Sequence, residues 1–314
     1  MKKNKLKLGI FDSGAGGLSV LEHVLRAEIF DSIIYYGDTA RLPYGTKHPD
    51  SIICFCLEAL EFLLVQNVDM IIVACNTASA HALDAMQKAA PKIPIIGVIE
   101  PGILAIKNRL KNLDAKILVL GTKATIQSAQ YQRHLEKLGY SNITAIPTSL
   151  FVSLVEEGIF EGPLVEECLR YYFGGIDFVP DAIILGCTHF PLLQKPIAAY
   201  FQNKSLLIHA GEAIVQYITQ NSHLLFESKK SRSLLSTKAG IVGDLVDGAH
   251  KLDHKTCNKA AQIKTPHARN LNARANNLPR CNHTTLQFYA SSDEKGLKNT
   301  AQNWLSSAKN FTIL

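Results

Sequence analysis

Apolar and polar positions along the first 220 residues follow a repeating rhythm. A short apolar run, rich in β-branched residues, gives way to small or polar residues, then to a longer stretch with apolar residues three and four apart. The short runs stand at Leu6–Phe11, Ile33–Tyr36, Met70–Val73 and Ile95–Ile99, and again at Ile117–Leu120, Ile143–Ile146, Ala182–Leu185 and Leu206–Ile208. Runs of this length read as strands buried on both faces, and stretches such as Ser51–Gln66 and Ala124–Leu138 read as helices. Alternating strands and helices predict an α/β fold whose parallel sheets are covered on both sides.

The runs fall into two sets of four with similar spacing. The third run of each set ends alike, in DMIIVACNTASA (Asp69–Ala80) and DAIILGCTHFPL (Asp181–Leu192). Each is an aspartate, an apolar run, a small residue, a cysteine, a short polar pair and a helix start. The first runs match more loosely, GIFDSGAGGLSV against VLGTKATIQSAQ, and spacing pairs Asp12 with Thr122: 63 residues separate Asp12 from Cys75, and 65 separate Thr122 from Cys187. The pattern predicts an internal duplication, giving two pseudo-symmetric parallel-sheet α/β domains with one cysteine at the same place in each.

Composition narrows the class. The chain has 314 residues, 47% hydrophobic and 19% charged, which suits a soluble globular protein with a substantial core. No apolar run reaches the roughly 18 residues that span a bilayer. The basic start MKKNKLKLGIF leads into an apolar segment that is short and contains Asp12, so no export signal is expected and the location is read as cytoplasmic. Seven cysteines, an odd number in a long chain, suggest reduced thiols rather than a disulfide scaffold. The net charge of +6 is local: Lys229–Arg280 holds eleven basic residues against three acidic ones, leaving the rest slightly acidic.

Free cysteines mostly pack as small hydrophobes, and Cys54, Cys56 and Cys168, within apolar helical patterns, are read that way. Cys75 and Cys187 differ because each stands where a strand gives way to a helix. Ligands of parallel α/β sheets bind beyond the carboxyl ends of strands, and a helix N-terminus there stabilises a thiolate. Two equivalent halves packed about a pseudo-twofold would present both thiols to one cleft. One thiolate could remove a proton from a carbon while the other thiol supplies one to the opposite face, inverting a stereocentre. A hydrolase needs one nucleophile with its base and oxyanion hole; two matched acid–base groups suit a racemase.

Four segments together carry a family resemblance: FDSGAGGLSV, YYGDTARLPYGTK (Tyr35–Lys47), VACNTASA (Val73–Ala80) and LGCTHFPLL (Leu185–Leu193). In this order they resemble the cofactor-independent glutamate racemases, over about Leu8–Gln220 and again near Phe288–Leu305. The glycine-rich turn after Asp12 is otherwise tempting as a nucleotide loop. It lacks the Lys-Ser/Thr of a P-loop, and a dinucleotide fingerprint would need glycine where Ser19 stands. An anionic Asp12 would also repel phosphate while suiting a zwitterion.

The resemblance implies L- and D-glutamate as substrates, no cofactor, and a supply of D-glutamate for peptidoglycan. Cys75 would take the proton from D-glutamate and Cys187 the one from L-glutamate. Asp12 would assist Cys75, His189 would assist Cys187, and Glu156 would help organise the second cysteine. Asp12, Asn76, Thr77 and Thr188 would bind the amino-acid end of the substrate, and Ser13 and His189 would also line its site. Tyr44, Gly45, Gly121, Thr122 and Thr125 would hold its side-chain carboxylate. Domains of 1–99 with 209–314, and of 100–208, are expected, with the active site in the cleft between them, and a homodimer is expected. Aspartate racemase is the nearest rival activity, and a racemase fold used to sequester a partner is a second.

Residues 228–285 exceed the family pattern and read as a basic surface insertion, a solvated loop rather than a nucleic-acid arm. It holds His250, His254, Cys257, His267, Cys281 and His283, but in no standard zinc spacing, so no metal is expected. Only seven residues precede Leu8-Gly9, and the family's activator-dependent members have a longer start, so control by a cell-wall precursor is not expected.

Overall fold

A computed structural model describes residues 6–223, 284–305 and 312–313. The first sheet contains β1 (Lys7–Asp12), β2 (Ser32–Gly37), β3 (Met70–Val73), β4 (Ile95–Gly97), β9 (Thr285–Ala290) and β10 (Thr312–Ile313). The second contains β5 (Ile117–Gly121), β6 (Ile143–Pro147), β7 (Ala182–Gly186) and β8 (Leu206–Ile208). The helices are α1 (Leu18–Arg26), α2 (Pro49–Val65), α3 (Asn76–His81), α4 (Leu83–Ala89), α5 (Ile99–Arg109), α6 (Lys123–Gln127), α7 (Gln130–Lys137), α8 (Leu150–Glu156), α9 (Pro163–Phe173), α10 (Gln194–Tyr200), α11 (Ala210–Gln220) and α12 (Glu294–Trp304). Every described strand pairing is parallel, and β3 and β7 are buried along their whole length, as two-sided coverage requires.

The two sheets repeat one topology. The second runs β6-β5-β7-β8, and the first runs β2-β1-β3-β4 with β9 and β10 added outside β2. The repeat extends to single atoms. The Asp69 carboxylate accepts the Lys7 N–H at 2.7 Å beside β1, and the Asp181 carboxylate accepts the Lys116 N–H at 2.8 Å beside β5. Register corrects the sequence pairing by one residue. Asp12 lies opposite Gly37 at the end of β1, and Gly121 lies opposite Pro147 at the end of β5, so the counterpart of Asp12 is Gly121 rather than Thr122. The two cysteines keep their equivalence: Cys75 follows Val73, the partner of Phe11, by two residues, as Cys187 follows Leu185, the partner of Leu120.

Other boundaries shift for local reasons. The run Ile95–Ile99 leaves the sheet at Gly97, and Ile99 opens α5, whose first turn tolerates Pro101 because its N–H would have no helical partner. The single helix expected over Ala124–Leu138 is two, broken at Ala129, whose φ of 53° is left-handed. Thr285, read as the end of the insertion, opens β9. Apart from Thr284, the rest of the basic segment, with its histidines and cysteines, lies outside the described residues.

Helix α11 joins the halves. Ala210, Ile214 and Ile218 lie on one face and enter the core built on β1, β3 and α1. Ala213 enters the second core, with Ile103 and Ile106 of α5 and Val119 and Ile184 of the second sheet. The loops after β1 and β3 therefore meet the loops after β5 and β7. Among the described residues no helix is long and apolar enough to cross a membrane.

Candidate active site

Cys75 leaves β3 and caps α3, its Sγ accepting the Ala78 N–H at 3.4 Å. Cys187 leaves β7 and precedes a short 3-10 turn, Phe190–Leu193. Both thiols line one small cavity between the halves, as do Ser13, Tyr44, Gly45, Asn76, Thr77, Thr122, Thr188 and His189. Asp12, Glu156, Gly121 and Thr125 stand behind that wall. Leu42, Pro43 and Val152 also line it and were not foreseen. Pro43, after a cis peptide, sits in the quoted LPYG segment, and Val152 lies one turn before Glu156 on α8, so both had readable neighbours. No lysine or arginine is among the lining residues, so an anionic ligand would meet N–H and O–H dipoles together with His189.

The helpers of the two thiols differ because Asp12 has only a glycine as its counterpart. Asp12 is fully buried, accepts the Gly14 N–H at 3.0 Å and receives the Thr188 hydroxyl at 3.4 Å. Burial raises its pKa, against a lowering pull from the charge of His189 across the cleft. Burial and the neighbouring Asp12 charge push the Cys75 thiol up to about 12, although the Ser13 hydroxyl and the Ala78 N–H act the other way. Burial and the Asp12 charge thus both favour the neutral thiol. On the other side, His189 Nδ1 lies 3.6 Å from Cys187 Sγ, and its Nε2 lies 2.5 Å from Glu156 Oε1. Burial would lower the pKa of His189, but hydrogen bonds to Cys187 and Glu156 outweigh it and raise it to about 10. As an imidazolium it donates from both nitrogens.

That shift sets a pH dependence. A folded pKa of about 10 against an ordinary 6.5 means the stabilising pair is fully present below pH 6.5 and is lost as pH rises through 10. Ring-proton NMR should show His189 titrating near pH 10, and denaturant titrations should show stability falling across that window. A midpoint near 6.5 would contradict this electrostatic picture.

Polar contacts across the cleft tie the lining together. Thr77 Oγ1 lies 2.9 Å from Thr122 Oγ1 and 3.1 Å from Thr125 Oγ1, and the last two are 3.0 Å apart, so three hydroxyls from both halves satisfy one another. The Tyr44 hydroxyl is turned out of the cavity to Asp38 at 2.5 Å, and Arg41 binds the same carboxylate, fixing the loop that carries Leu42, Pro43 and Gly45. The glycine-rich turn serves close approach. A Cβ on Gly16 would stand 2.5 Å from Thr188 Oγ1 and 2.6 Å from His189 Cε1. One on Gly17 would stand 2.6 Å from Asp12 Cβ. The Ser19 hydroxyl donates to the Thr188 carbonyl at 2.8 Å, fastening the turn to the opposite half.

Among the described residues no group of three or more His, Cys, Asp and Glu side chains is arranged to hold a metal ion. Cys56 and Cys168 are free thiols on α2 and α9, away from the cavity lining. Cys54 on α2 is buried as expected.

Comparison with known proteins agrees with this arrangement. The family model for Asp/Glu/Hydantoin racemase matches residues 13–218. A glutamate racemase of Helicobacter pylori (strain ATCC 700392 / 26695) is 56% identical over 222 residues, covering 69% of this chain and 87% of that protein. The crystal structure of glutamate racemase from Campylobacter jejuni subsp. jejuni superposes with a TM-score of 0.75 at 44% identity, over 96% of this chain and 99% of that one. A Francisella tularensis subsp. tularensis SCHU S4 glutamate racemase, solved in complex with D-glutamate, superposes with a TM-score of 0.70 at 28% identity, over 99% and 96%. The chain belongs to the Asp/Glu/Hydantoin racemase family and, within it, groups with the glutamate racemases.

Proposed function

We propose that this racemase interconverts L- and D-glutamate by passing protons between Cα and two thiols on opposite faces of the substrate. The observation that carries the reading is the pair Cys75 and Cys187, equivalent in a duplicated fold and lining one small cavity. Cys75 as thiolate takes the Cα proton of D-glutamate, and the electron pair left on Cα takes the proton of the Cys187 thiol, giving L-glutamate. Cys75 then holds a proton and Cys187 lacks one, the starting state for the reverse reaction.

The α-proton of an amino acid is far less acidic than a thiol, so the site must favour the charged intermediate. Enclosure between the halves and preset dipoles supply that. The charge of Asp12 disfavours a thiolate at Cys75. A substrate ammonium set between them offsets that repulsion, so the base forms where its substrate is bound. Asn76, Thr77, Thr122 and Thr188 offer donors to the carboxylates. D-glutamate made in the cytoplasm would serve peptidoglycan synthesis.

The reading is tested by circular dichroism of L-glutamate and of D-glutamate, each incubated with the protein without added cofactor, beside L-aspartate. Decay of both glutamate signals to zero, with aspartate left unchanged, is expected. Unchanged glutamate signals, or turnover of aspartate in their place, would overturn it.

A further inference from the structure

Tyr131 is not among the residues that line the cavity, but it acts on one that is. It lies on α7 in the second half with its ring enclosed, 2% exposed. Two glycines leave room for it: a Cβ on Gly186, at the end of β7, would stand 3.2 Å from ring Cε2, and one on Gly102 of α5 would stand 3.6 Å from Cε1. Through that slot the hydroxyl reaches the other half and donates to Asn76 Oδ1 at 2.6 Å. Burial, with the charge of Cys187 adding to it, raises the phenol's pKa, so its proton stays available to donate.

Asn76 lines the cavity, and its Nδ2 is buried without a partner. A buried donor with nothing to bind is costly unless a ligand supplies the acceptor. A primary amide has nearly the same shape after half a turn, which exchanges donor for acceptor, so its facing must be set by an outside partner. Here that partner comes from the opposite half.

We propose that Tyr131 is a positioning residue: its hydroxyl holds the Asn76 amide with Nδ2 facing the cavity, as a donor to a carboxylate of the amino-acid substrate. The proposal rests on the racemase reading for its substrate. Because Tyr131 and Asn76 belong to different halves, the donor is aimed when the halves are together, which links substrate affinity to closure.

Tyr131→Phe keeps the ring and removes the hydroxyl. KM for both glutamate enantiomers should rise about tenfold while kcat stays within about threefold, as expected for loss of one oriented hydrogen bond to a charged group. Asn76→Ala should cost more, and the double variant should match Asn76→Ala alone, since Tyr131 then has nothing to orient. Additive losses, or a fall in kcat with KM unchanged, would overturn the proposal. A substrate-independent readout is the Asn76 side-chain amide in nitrogen-15 NMR of the ligand-free protein, assigned by its loss in Asn76→Ala. Tyr131→Phe should shift that pair of signals and speed their exchange with water; unmoved signals would overturn the proposal. Wild-type protein that leaves glutamate unchanged would sink the substrate reading, while the amide signals would still decide the role of Tyr131.

Discussion

Replacing either Cys75 or Cys187 by alanine should lower glutamate racemisation in both directions by about 10²- to 10⁴-fold, the usual scale for losing a positioned acid–base group. Each thiol is base in one direction and acid in the other, so neither variant should keep a fast direction. Stability should change little in Cys75→Ala, where the side chain is small and its hydrogen bond to the Ala78 N–H involves sulfur, a weak partner. It should fall in Cys187→Ala, which removes a bond that raises the pKa of His189. Polarimetric or circular-dichroic rates, with melting temperatures measured on the same preparations, check both halves of the expectation. A single variant retaining near-normal turnover would remove that cysteine from the mechanism. The double variant should be about as slow as either single one, because the two thiols act as a unit.

The second large effect is expected at Gly16. An alanine methyl there would fall 2.5 Å from Thr188 Oγ1 and within 2.7 Å of two atoms of the His189 ring. That ring cannot simply turn aside, because its two nitrogens are held by Cys187 and Glu156. The methyl must either displace the imidazole or hold the halves apart. A misplacement on the order of 1 Å near the reacting atoms costs about 10²-fold, so kcat/KM should fall at least that far in Gly16→Ala. Gly14→Ala is the control: the nearest atom to its added Cβ would be Leu42 Cδ1, at 3.5 Å, an ordinary contact. It should retain activity within about threefold. Equal effects at both positions would show that the turn matters for its flexibility rather than for this approach.

These contacts show how far the sequence could be read. Strands such as Met70–Val73 and Ala182–Gly186 were legible because two-sided burial demands uninterrupted apolar residues. The duplication was legible through its two strand–cysteine–helix passages. Its exact frame was not, because Asp12 and its true counterpart Gly121 share no chemistry; only the hydrogen-bond register pairs them. Helix α6 ends at a left-handed alanine that carries no turn signature, so one helix was expected where there are two. The thiols were legible from their places at the two strand–helix passages, while Asp12, His189 and Glu156 entered through motif resemblance; the thiols and His189 line one cavity, with Asp12 and Glu156 bonded behind them. Tyr131 was unreadable in principle. It sits in an amphipathic helix like any core aromatic, and only the fold directs its hydroxyl to Asn76. The purpose of Gly16 was hidden for the same reason, since its neighbours Thr188 and His189 come from the other half of the chain.

The central claim is that two different groups carry the proton on the two faces of Cα, and the wild-type reaction run in D₂O tests it most directly. Starting from each enantiomer in turn, proton NMR or mass spectrometry at low conversion would follow deuterium at Cα of both substrate and product. The account predicts product carrying solvent deuterium while unreacted substrate stays protiated, in both directions, because the group that gives is not the group that takes. Deuterium entering the remaining substrate as fast as product forms, or product keeping the original proton, would mean that one group serves both faces and would contradict the account.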